Sequence, residues 1–242
     1  MTELLRLMGE DKKLPQKSSN ADIQAFLKKI AATPVIKKSG QRGRLIFAMD
    51  ATASRGPTWD RACRIQAQMF EETAALGGLE IQLCYYRGYG EFDASQWTSQ
   101  SGELLKQMTA VTFLGGHTQI ERVLEHTIRE TQLKRINALV FIGDCMEEDS
   151  DRLCQLAGEL GIQGIPAFMF QEGHDPVAAR TFKQIARLTN GAYCPFDTHS
   201  ARQLRDLLSA VAVYAAGGRA ALDDFSKRKG GTVLQLIHQI KK

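Results

Sequence analysis

The sequence predicts an α/β fold: a doubly wound, mostly parallel sheet of about six strands with helices on both faces. Short apolar runs alternate along the chain with longer runs in which apolar residues recur at helical spacing. This alternation is typical of βαβ units, whose strands pair in parallel and whose helices cover the sheet. At 242 residues and 43% hydrophobic content, the chain can bury one substantial core. We therefore expect one α/β domain with extensions.

Local signals place the elements. Pro57 begins the first long helix, and Gly77 and Gly78 end it, as expected for proline early in a helix and glycine just past its end. Asp175 precedes a proline and caps a later helix. A short strand is predicted to turn back on the second strand, because a short glycine-bearing connection suits a hairpin. The predicted strands are 45–49, 79–86, 89–92, 137–143, 165–170 and 192–196, and the predicted helices are 21–32, 57–76, 101–110, 119–131, 151–160, 176–189 and 201–216.

The predicted domain covers residues 44–218, and basic segments flank it. Residues 1–43 form an N-terminal extension with a short helix, and residues 219–242 form a C-terminal tail with a short amphipathic segment. The first 44 residues carry ten Lys or Arg against four Asp or Glu, and the tail carries six against two. The stretch between them carries fifteen against twenty-one. Basic termini on an acidic globule predict either contact with acidic surfaces or plain solvation of the tails.

Composition argues against several functional classes. The first twenty residues are polar, so no secretory signal is expected, and the longest weakly polar run, 207–218, is too short to cross a bilayer. Aromatic residues do not interleave with the basic ones, so there is no specific nucleic acid signal. Five cysteines, at positions 63, 84, 145, 154 and 194, stand without a C-x-x-C pair, which fits buried thiols in a reducing compartment. We expect a cytoplasmic protein without a transmembrane segment.

Oxygen-bearing side chains follow two of the predicted strands and one glycine-rich turn. Asp50, Thr52 and Ser54 come directly after the first strand, with small alanines between them. Thr118 follows Gly115-Gly116-His117 just before a helix, and Asp144 follows a second apolar strand. Open α/β sheets bind ligands at the carboxyl ends of their strands, and hard cations such as Mg²⁺ prefer all-oxygen ligands. These segments therefore predict a divalent-metal site at the edge of the sheet.

Together the three segments resemble the von Willebrand factor A-type domain and its metal-ion-dependent adhesion site. The family pattern is D-x-S/T-x-S, then a distant Thr, then an Asp. Asp50, Thr52, Ser54, Thr118 and Asp144 stand in these positions and in this order. The resemblance extends over most of the predicted domain and implies a Rossmann-like sheet. It is bacterial in style, because the chain is short and free of disulfide spacing.

The resemblance also implies how such a site works. Thr52 and Ser54 would coordinate Mg²⁺, or Mn²⁺ or Ca²⁺, directly, and Thr118 directly or through water. Asp50 and Asp144 would mostly hold coordinated waters and orient the hydroxyls. An Asp or Glu carboxylate of a protein partner would complete the metal shell. The implied function is a metal-dependent protein-binding module and not an enzyme.

Three alternatives stay open. Thr52 and Ser54 could be ordinary helix-capping residues. The chain could be a phosphatase similar to the haloacid dehalogenases, with Asp50 as nucleophile and with Asp144 and Asp149 imitating a later acidic motif. That chemistry needs a second acid two residues after the nucleophile, and threonine cannot transfer the proton. The chain could also be a degenerate scaffold that no longer binds metal.

The residues beside the predicted ligands have simpler interpretations. His117 is expected to be a surface residue, and Cys145 a small buried thiol. The acidic stretch that follows Asp144 is either a solvated loop with a helix cap at Ser150 or Asp151, or a source of negative potential around the cation. That stretch consists of Glu147, Glu148, Asp149 and Asp151.

Overall fold

A computed structural model describes residues 22, 25, 26, 28–30, 42–196 and 201–228, without the side chains of 201–203, 219 and 228. The strands are β1 Gly43–Asp50, β2 Leu79–Arg87, β3 Glu91–Ala94, β4 Ala138–Gly143, β5 Ala167–Glu172 and β6 Ala192–Phe196. The helices are α1 Gly56–Thr73, α2 Ser101–Thr109, α3 Ile120–Leu133, α4 Ser150–Ile162, α5 Pro176–Leu188 and α6 Ala201–Arg228.

These strands form one six-stranded sheet in the order β3-β2-β1-β4-β5-β6. Every pair is parallel except β2 with β3, which form the predicted antiparallel hairpin at the edge. The α/β, mostly parallel fold class is confirmed. β1 lies in the interior of the sheet, and all eight of its residues are buried. A strand covered on both faces has no solvated side, which is why its sequence is a continuous apolar run.

Alternate residues of β1 point into two separate cores. Leu45, Phe47 and Met49 pack with apolar residues of α1, α2 and α6 on one face. Ile46 and Ala48 pack with residues of α3, α4 and α5 on the other. The two-residue period of a strand divides its side chains in this way. The sheet is therefore held rigidly from both sides, and its carboxyl edge is left for the loops.

The predicted ends of the helices are largely confirmed. α1 and the short 3₁₀ turn Ala74–Leu76 stop at Gly77 and Gly78, whose φ angles of 96° and 85° lie in the left-handed region that favours glycine. The Asp175 carboxylate accepts a hydrogen bond of 2.5 Å from the Ala178 amide, so it caps α5 as predicted. In the hairpin, β3 begins at Glu91 and not at residue 89, because Gly88 and Gly90 form the turn with positive φ.

The last helix corrects the sequence prediction. It was expected to end at residue 216, ahead of Gly217 and Gly218, but α6 continues to Arg228. Gly218 has a φ of 74° and ψ of −165°, so it breaks the helical path without ending the element. The helix resumes because apolar residues beyond the break, Ala221, Leu222 and Phe225, are buried in the core. The folded core thus extends past the predicted boundary at residue 218.

The core also extends past the N-terminal boundary at residue 44. The described residues between 22 and 30 are helical, and Phe26 and Ile30 are buried. The Phe26 ring centroid lies 5.2 Å from that of Phe170. The other residues of the predicted extension, and the amphipathic segment predicted in the tail, lie outside the described residues. None of the helices in the described part of the chain has the length and apolar character to span a membrane.

Candidate metal centre

Two carboxylates meet at the carboxyl edge of the sheet. Asp50 is the last residue of β1, and Asp144 directly follows β4. Because these strands are parallel neighbours, with Met49 opposite Ile142, both carboxylates arrive at the same edge. Their oxygen atoms and the Cys145 sulfur all lie within 4.8 Å of one another.

Asp50 is a buried carboxylate that has only one protein donor. Its side chain is 1% exposed, and its Oδ1 accepts a hydrogen bond of 2.7 Å from the Thr52 amide. Its Oδ2 is buried and has no hydrogen-bond partner. Burial raises the pKa of Asp50 to about 6, with a smaller contribution from Asp144, while the Thr52 amide and Arg55 oppose the increase. The fold therefore supplies less compensation for this negative charge than its burial requires.

Asp144 is more exposed and has more partners. Its side chain is 28% exposed, and its Oδ2 lies 3.4 Å from Arg55 Nη1 and 3.5 Å from the Ser54 hydroxyl, which donates to it. Its Oδ1 is buried without a hydrogen-bond partner. Each of the two carboxylates thus holds one oxygen in place and leaves one buried oxygen free of protein donors.

Thr118 is tied to the loop that follows Asp144. Its hydroxyl accepts a hydrogen bond of 3.0 Å from the Glu147 amide, and its own amide donates to the Glu147 carboxylate at 3.2 Å. Its loop is also joined to the first motif loop, because the Leu114 amide donates to the Ala51 carbonyl at 3.3 Å. Gly116 permits the close approach to the β2–β3 hairpin, since a Cβ there would lie 1.9 Å from the Gly88 carbonyl oxygen.

The structure thus brings Asp50, Ser54 and Asp144 together directly. Thr52 joins them through its backbone amide, and Thr118 through Glu147. The helix-capping interpretation of Thr52 and Ser54 is wrong, because no side chain caps either the 3₁₀ turn Ala53–Arg55 or α1. The Ser54 hydroxyl donates to Asp144 instead.

The acidic stretch after Asp144 has a structural role that its sequence does not reveal. The Glu148 carboxylate accepts hydrogen bonds from the amides of Ile120, at 2.7 Å, and Glu121, at 2.8 Å, so it caps α3 from another loop. Asp149, and not the predicted Ser150 or Asp151, caps α4 by accepting from the Asp151 amide at 2.9 Å. Two of the four acids therefore compensate the positive ends of helices.

His117 and Cys145 fit the simpler interpretations. The His117 side chain is 65% exposed, and its Nδ1 lies 3.0 Å from Glu147 Oε2. Cys145 is half-buried, and burial together with the neighbouring Asp144 raises the pKa of its thiol to about 12. All five cysteines are free thiols.

Sequence reasoning missed a buried ion pair beside the two carboxylates. The Arg55 side chain is 4% exposed and lies between Asp144 and Glu172, forming ion pairs with both. Thr58 donates a further hydrogen bond to Glu172. The available signal was the position of Glu172, which ends β5 next to β4 and so reaches the same edge of the sheet.

The residues present fit a hard divalent cation. Two buried carboxylate oxygens without donors, with a serine hydroxyl beside them, are the kind of ligands that Mg²⁺ takes, and buried polar atoms ordinarily have partners. Arg55 adds one positive charge near this group, and the opposing charge of Glu172 offsets it.

Comparisons with known proteins address the fold. No family model and no curated protein matches the chain. Among solved structures, an aerotolerance-related membrane protein from Bacteroides fragilis, carrying multiple mutations to serine, superposes with a TM-score of 0.55 and 14% identity over 70% of this chain and 98% of that one. A von Willebrand factor type A protein from Catenulispora acidiphila gives a TM-score of 0.58 and 14% identity over 72% of this chain and 43% of that one.

A third similar structure is proximal thread matrix protein 1 of the mussel byssus, with a zinc-occupied MIDAS motif. It has a TM-score of 0.56 and 12% identity, over 73% of this chain and 47% of that one. The chain thus spans less than half the length of two of these three proteins. Identities this low concern the fold alone. Together with the strand order and the antiparallel edge strand, these similarities show that the chain has the von Willebrand factor A-type fold.

Proposed function

We propose that this chain is a divalent-metal-dependent protein-binding module. Asp50, Thr52, Ser54, Thr118 and Asp144 would hold Mg²⁺, or Mn²⁺ or Ca²⁺, at the carboxyl edge of the sheet. The cation would supply an electrophilic position that an Asp or Glu carboxylate of a protein partner completes. The proposal does not require this chain to carry out a reaction.

One observation carries the proposal. Asp50 Oδ2 and Asp144 Oδ1 are both buried and both lack a hydrogen-bond partner. An ionised carboxylate without compensation is costly to bury, so a fold that retains two such oxygens side by side gains from a cation that binds them. The fold keeps them in place, because the Thr52 amide fixes one carboxylate while Ser54 and Arg55 fix the other.

The geometry gives less support to a phosphatase. Position 52 is a threonine whose amide, and not a side-chain acid, contacts Asp50. Asp149, which imitates the second acidic motif, uses its carboxylate to cap α4. The residues that this chemistry would use are therefore either of the wrong type or already engaged.

A specific observation favours a second candidate, a scaffold that binds its partner without metal. The Arg55 guanidinium already lies 3.4 Å from Asp144 Oδ2 and balances part of the acidic charge. In such a scaffold Arg55 would take the place of the cation. Asp50 would then stay protonated to a larger extent, because nothing else compensates its charge.

Calorimetric titration with Mn²⁺ and Mg²⁺ tests the proposal. We expect the unmodified chain to bind Mn²⁺ weakly, and Asp50→Ala and Thr118→Ala to abolish binding while the circular dichroism spectrum is preserved. Asp60→Ala removes an exposed carboxylate from α1 and is the matched control, which should bind as the unmodified chain does. Metal binding that is equal in all four proteins would contradict the site, and no binding in any of them would favour the scaffold.

The remaining expectations concern the surroundings of the module. The basic terminal segments would add attraction to acidic partners that weakens as salt screens exposed charges. We propose a cytoplasmic location, which the five free thiols support. Comparing partner binding at low and high salt, with and without chelator, separates the attraction of the termini from that of the metal site.

A further inference from the structure

The loops around the metal centre expose large apolar side chains. In the part of the chain that the structure describes, eight large hydrophobic residues are exposed. Three of them, Tyr89 at 83%, Leu114 at 48% and Phe113 at 37%, lie on the loops at the carboxyl edge of the sheet, and we call these three the apolar rim. The other five are distributed over four helices: Leu105, Leu133, Ile162, Val177 and Leu188.

Backbone hydrogen bonds hold the apolar rim against the loops of the metal centre. The Leu114 amide donates to the carbonyl of Ala51, which stands between two proposed metal ligands in the sequence. The Gly88 amide donates to the Leu114 carbonyl at 3.1 Å, and the His117 amide donates to the Gly88 carbonyl at 3.2 Å. The rim and the metal ligands therefore belong to one cross-linked group of loops.

The aromatic members of the rim are also held in place by ring contacts. The Phe113 ring lies edge-on to Trp59, with centroids 5.8 Å apart, and Trp59 is anchored by a 2.9 Å hydrogen bond to the Met108 carbonyl. The Tyr89 ring lies edge-on to His117 at 5.0 Å. Rings that are ordered before binding lose little conformational entropy when a partner packs on them.

Charge distinguishes the two sides of the centre. On the side opposite Tyr89, the His117 ring faces the Glu147 carboxylate, which is 50% exposed. A second acid of a partner would be repelled there, whereas an apolar side chain on the rim side would bury surface. The surface thus favours one carboxylate with an apolar neighbour over a run of acids.

We propose that the partner of this site is a peptide segment of another protein in which a single Asp or Glu stands beside a large apolar residue. The carboxylate would complete the metal shell, and the apolar residue would pack on Tyr89, Leu114 and Phe113. This inference rests on the proposed function, since the metal fixes the position of the carboxylate. It adds the chemistry of the residue next to that carboxylate.

Blocked tripeptides provide the probe. One has aspartate between two leucines, the second has aspartate between two glycines, and the third has asparagine between two leucines. Amide spectra of the full chain are recorded during titration with each peptide at saturating Mg²⁺ and again with chelator. We expect the leucine–aspartate peptide to bind about tenfold more tightly than the glycine–aspartate peptide, the effect of burying most of one leucine side chain. The asparagine peptide should bind least, and chelator should abolish the difference.

Surface variants locate the effect. Tyr89→Ser and Leu114→Ser should each lower the affinity for the leucine–aspartate peptide about threefold, with the glycine–aspartate affinity and the Mg²⁺ affinity unchanged. Leu133→Ser, at a side chain that is 81% exposed on α3, is the matched control and should change nothing.

The outcomes distinguish the two proposals. Equal affinity for the leucine and glycine peptides, with Mg²⁺ required for both, would overturn the apolar rim and leave the proposed function standing. Leucine peptides that bind regardless of Mg²⁺ would overturn the link between the rim and the metal. A chain that binds Mg²⁺ but none of the peptides would overturn both the inference and the partner carboxylate of the proposed function.

Discussion

The two ends of β1 each bury a charged side chain, and the fold treats the two charges in opposite ways. At the amino end, Arg44 lies 3.3 Å from Glu80 and 3.6 Å from Glu130, with its guanidinium 3.7 Å over the Trp97 ring. At the carboxyl end, the Asp50 carboxylate accepts one amide hydrogen bond and leaves its second oxygen without a partner.

This difference separates a structural charge from a functional one. The acids around Arg44 oppose the effect of burial, which lowers the pKa of the arginine. Around Asp50 the balance is reversed, and burial prevails over the Thr52 amide and Arg55. A natural fold that leaves one buried group undercompensated usually does so at a site where a ligand supplies the remainder. The following variants test whether the two ends differ in this way.

The largest expected effect is at the amino end. Arg44→Met should lower the free energy of unfolding by about 4 kcal/mol, because Glu80 and Glu130 would keep partly buried charges without a counter-charge. Urea unfolding measures the change, and Mn²⁺ affinity should not move. Arg129→Met removes an arginine that is 62% exposed and is the control, with an expected loss below about 0.5 kcal/mol. Equal stability of Arg44→Met and the control would contradict a structural role for Arg44.

Asp50→Asn should have the opposite sign in the metal-free protein. The pKa of Asp50 in the folded state, about 6, is above its usual value of 3.8, so ionisation destabilises the fold. The penalty is absent well below pH 4, grows between pH 4 and 6 and is complete above pH 6. A displacement of about two pKa units corresponds to about 3 kcal/mol, so Asn should stabilise the chelator-treated protein by up to this amount at pH 7.5.

The measurement for Asp50→Asn is urea unfolding of both proteins in chelator at pH 7.5 and pH 4. The gain should nearly vanish at pH 4, where the folded protein has already taken up the proton. A variant that is less stable than the unmodified chain at both values would show that Asp50 is a structural charge like Arg44.

Arg55→Gln sharpens the comparison within the metal centre. Removing the guanidinium beside Asp144 should raise Mn²⁺ affinity about tenfold, because one positive charge no longer opposes the cation. The double variant Arg55→Gln/Glu172→Gln removes both members of the ion pair, and its affinity should return close to that of the unmodified chain. If Arg55→Gln binds Mn²⁺ no more tightly than the unmodified chain, the guanidinium does not compete with the metal.

The smallest effect is expected at an exposed residue of the same edge. Glu147→Gln should lower Mn²⁺ affinity about twofold and change stability by less than about 0.5 kcal/mol, since its pair with His117 is largely exposed. Calorimetry and urea unfolding measure the two quantities. A loss as large as that of Thr118→Ala would instead assign Glu147 a direct place in the metal site.

The sequence allowed the sheet to be predicted because β1 and β4 are short apolar runs with polar ends. It was less informative where tertiary packing overrides a local signal. Gly217 and Gly218 mark a helix end in sequence, yet α6 continues beyond them because Leu222 and Phe225 reach the core. Local propensity carries less free energy than the burial of two large side chains.

The candidate site shows the same limit. The five proposed ligands could be identified because each directly follows a strand or a glycine turn. Glu148 could not be assigned to the cap of α3, because 28 positions separate it from the Ile120 amide. Arg55 resembles any basic loop residue until the fold places Asp144 and Glu172 on either side of it.

The position of β1 in the interior of the sheet has a consequence for biosynthesis. β1 emerges from the ribosome early, but one of its neighbours, β4, follows only at Ala138–Gly143, and α6 covers its face only after Ala201. Contacts between distant parts of the chain form slowly, and a nascent chain that lacks the later strands cannot assemble them. The acidic pocket therefore comes into existence only when nearly all of the chain has been synthesised. Prematurely terminated products would not compete with finished molecules for metal or partner.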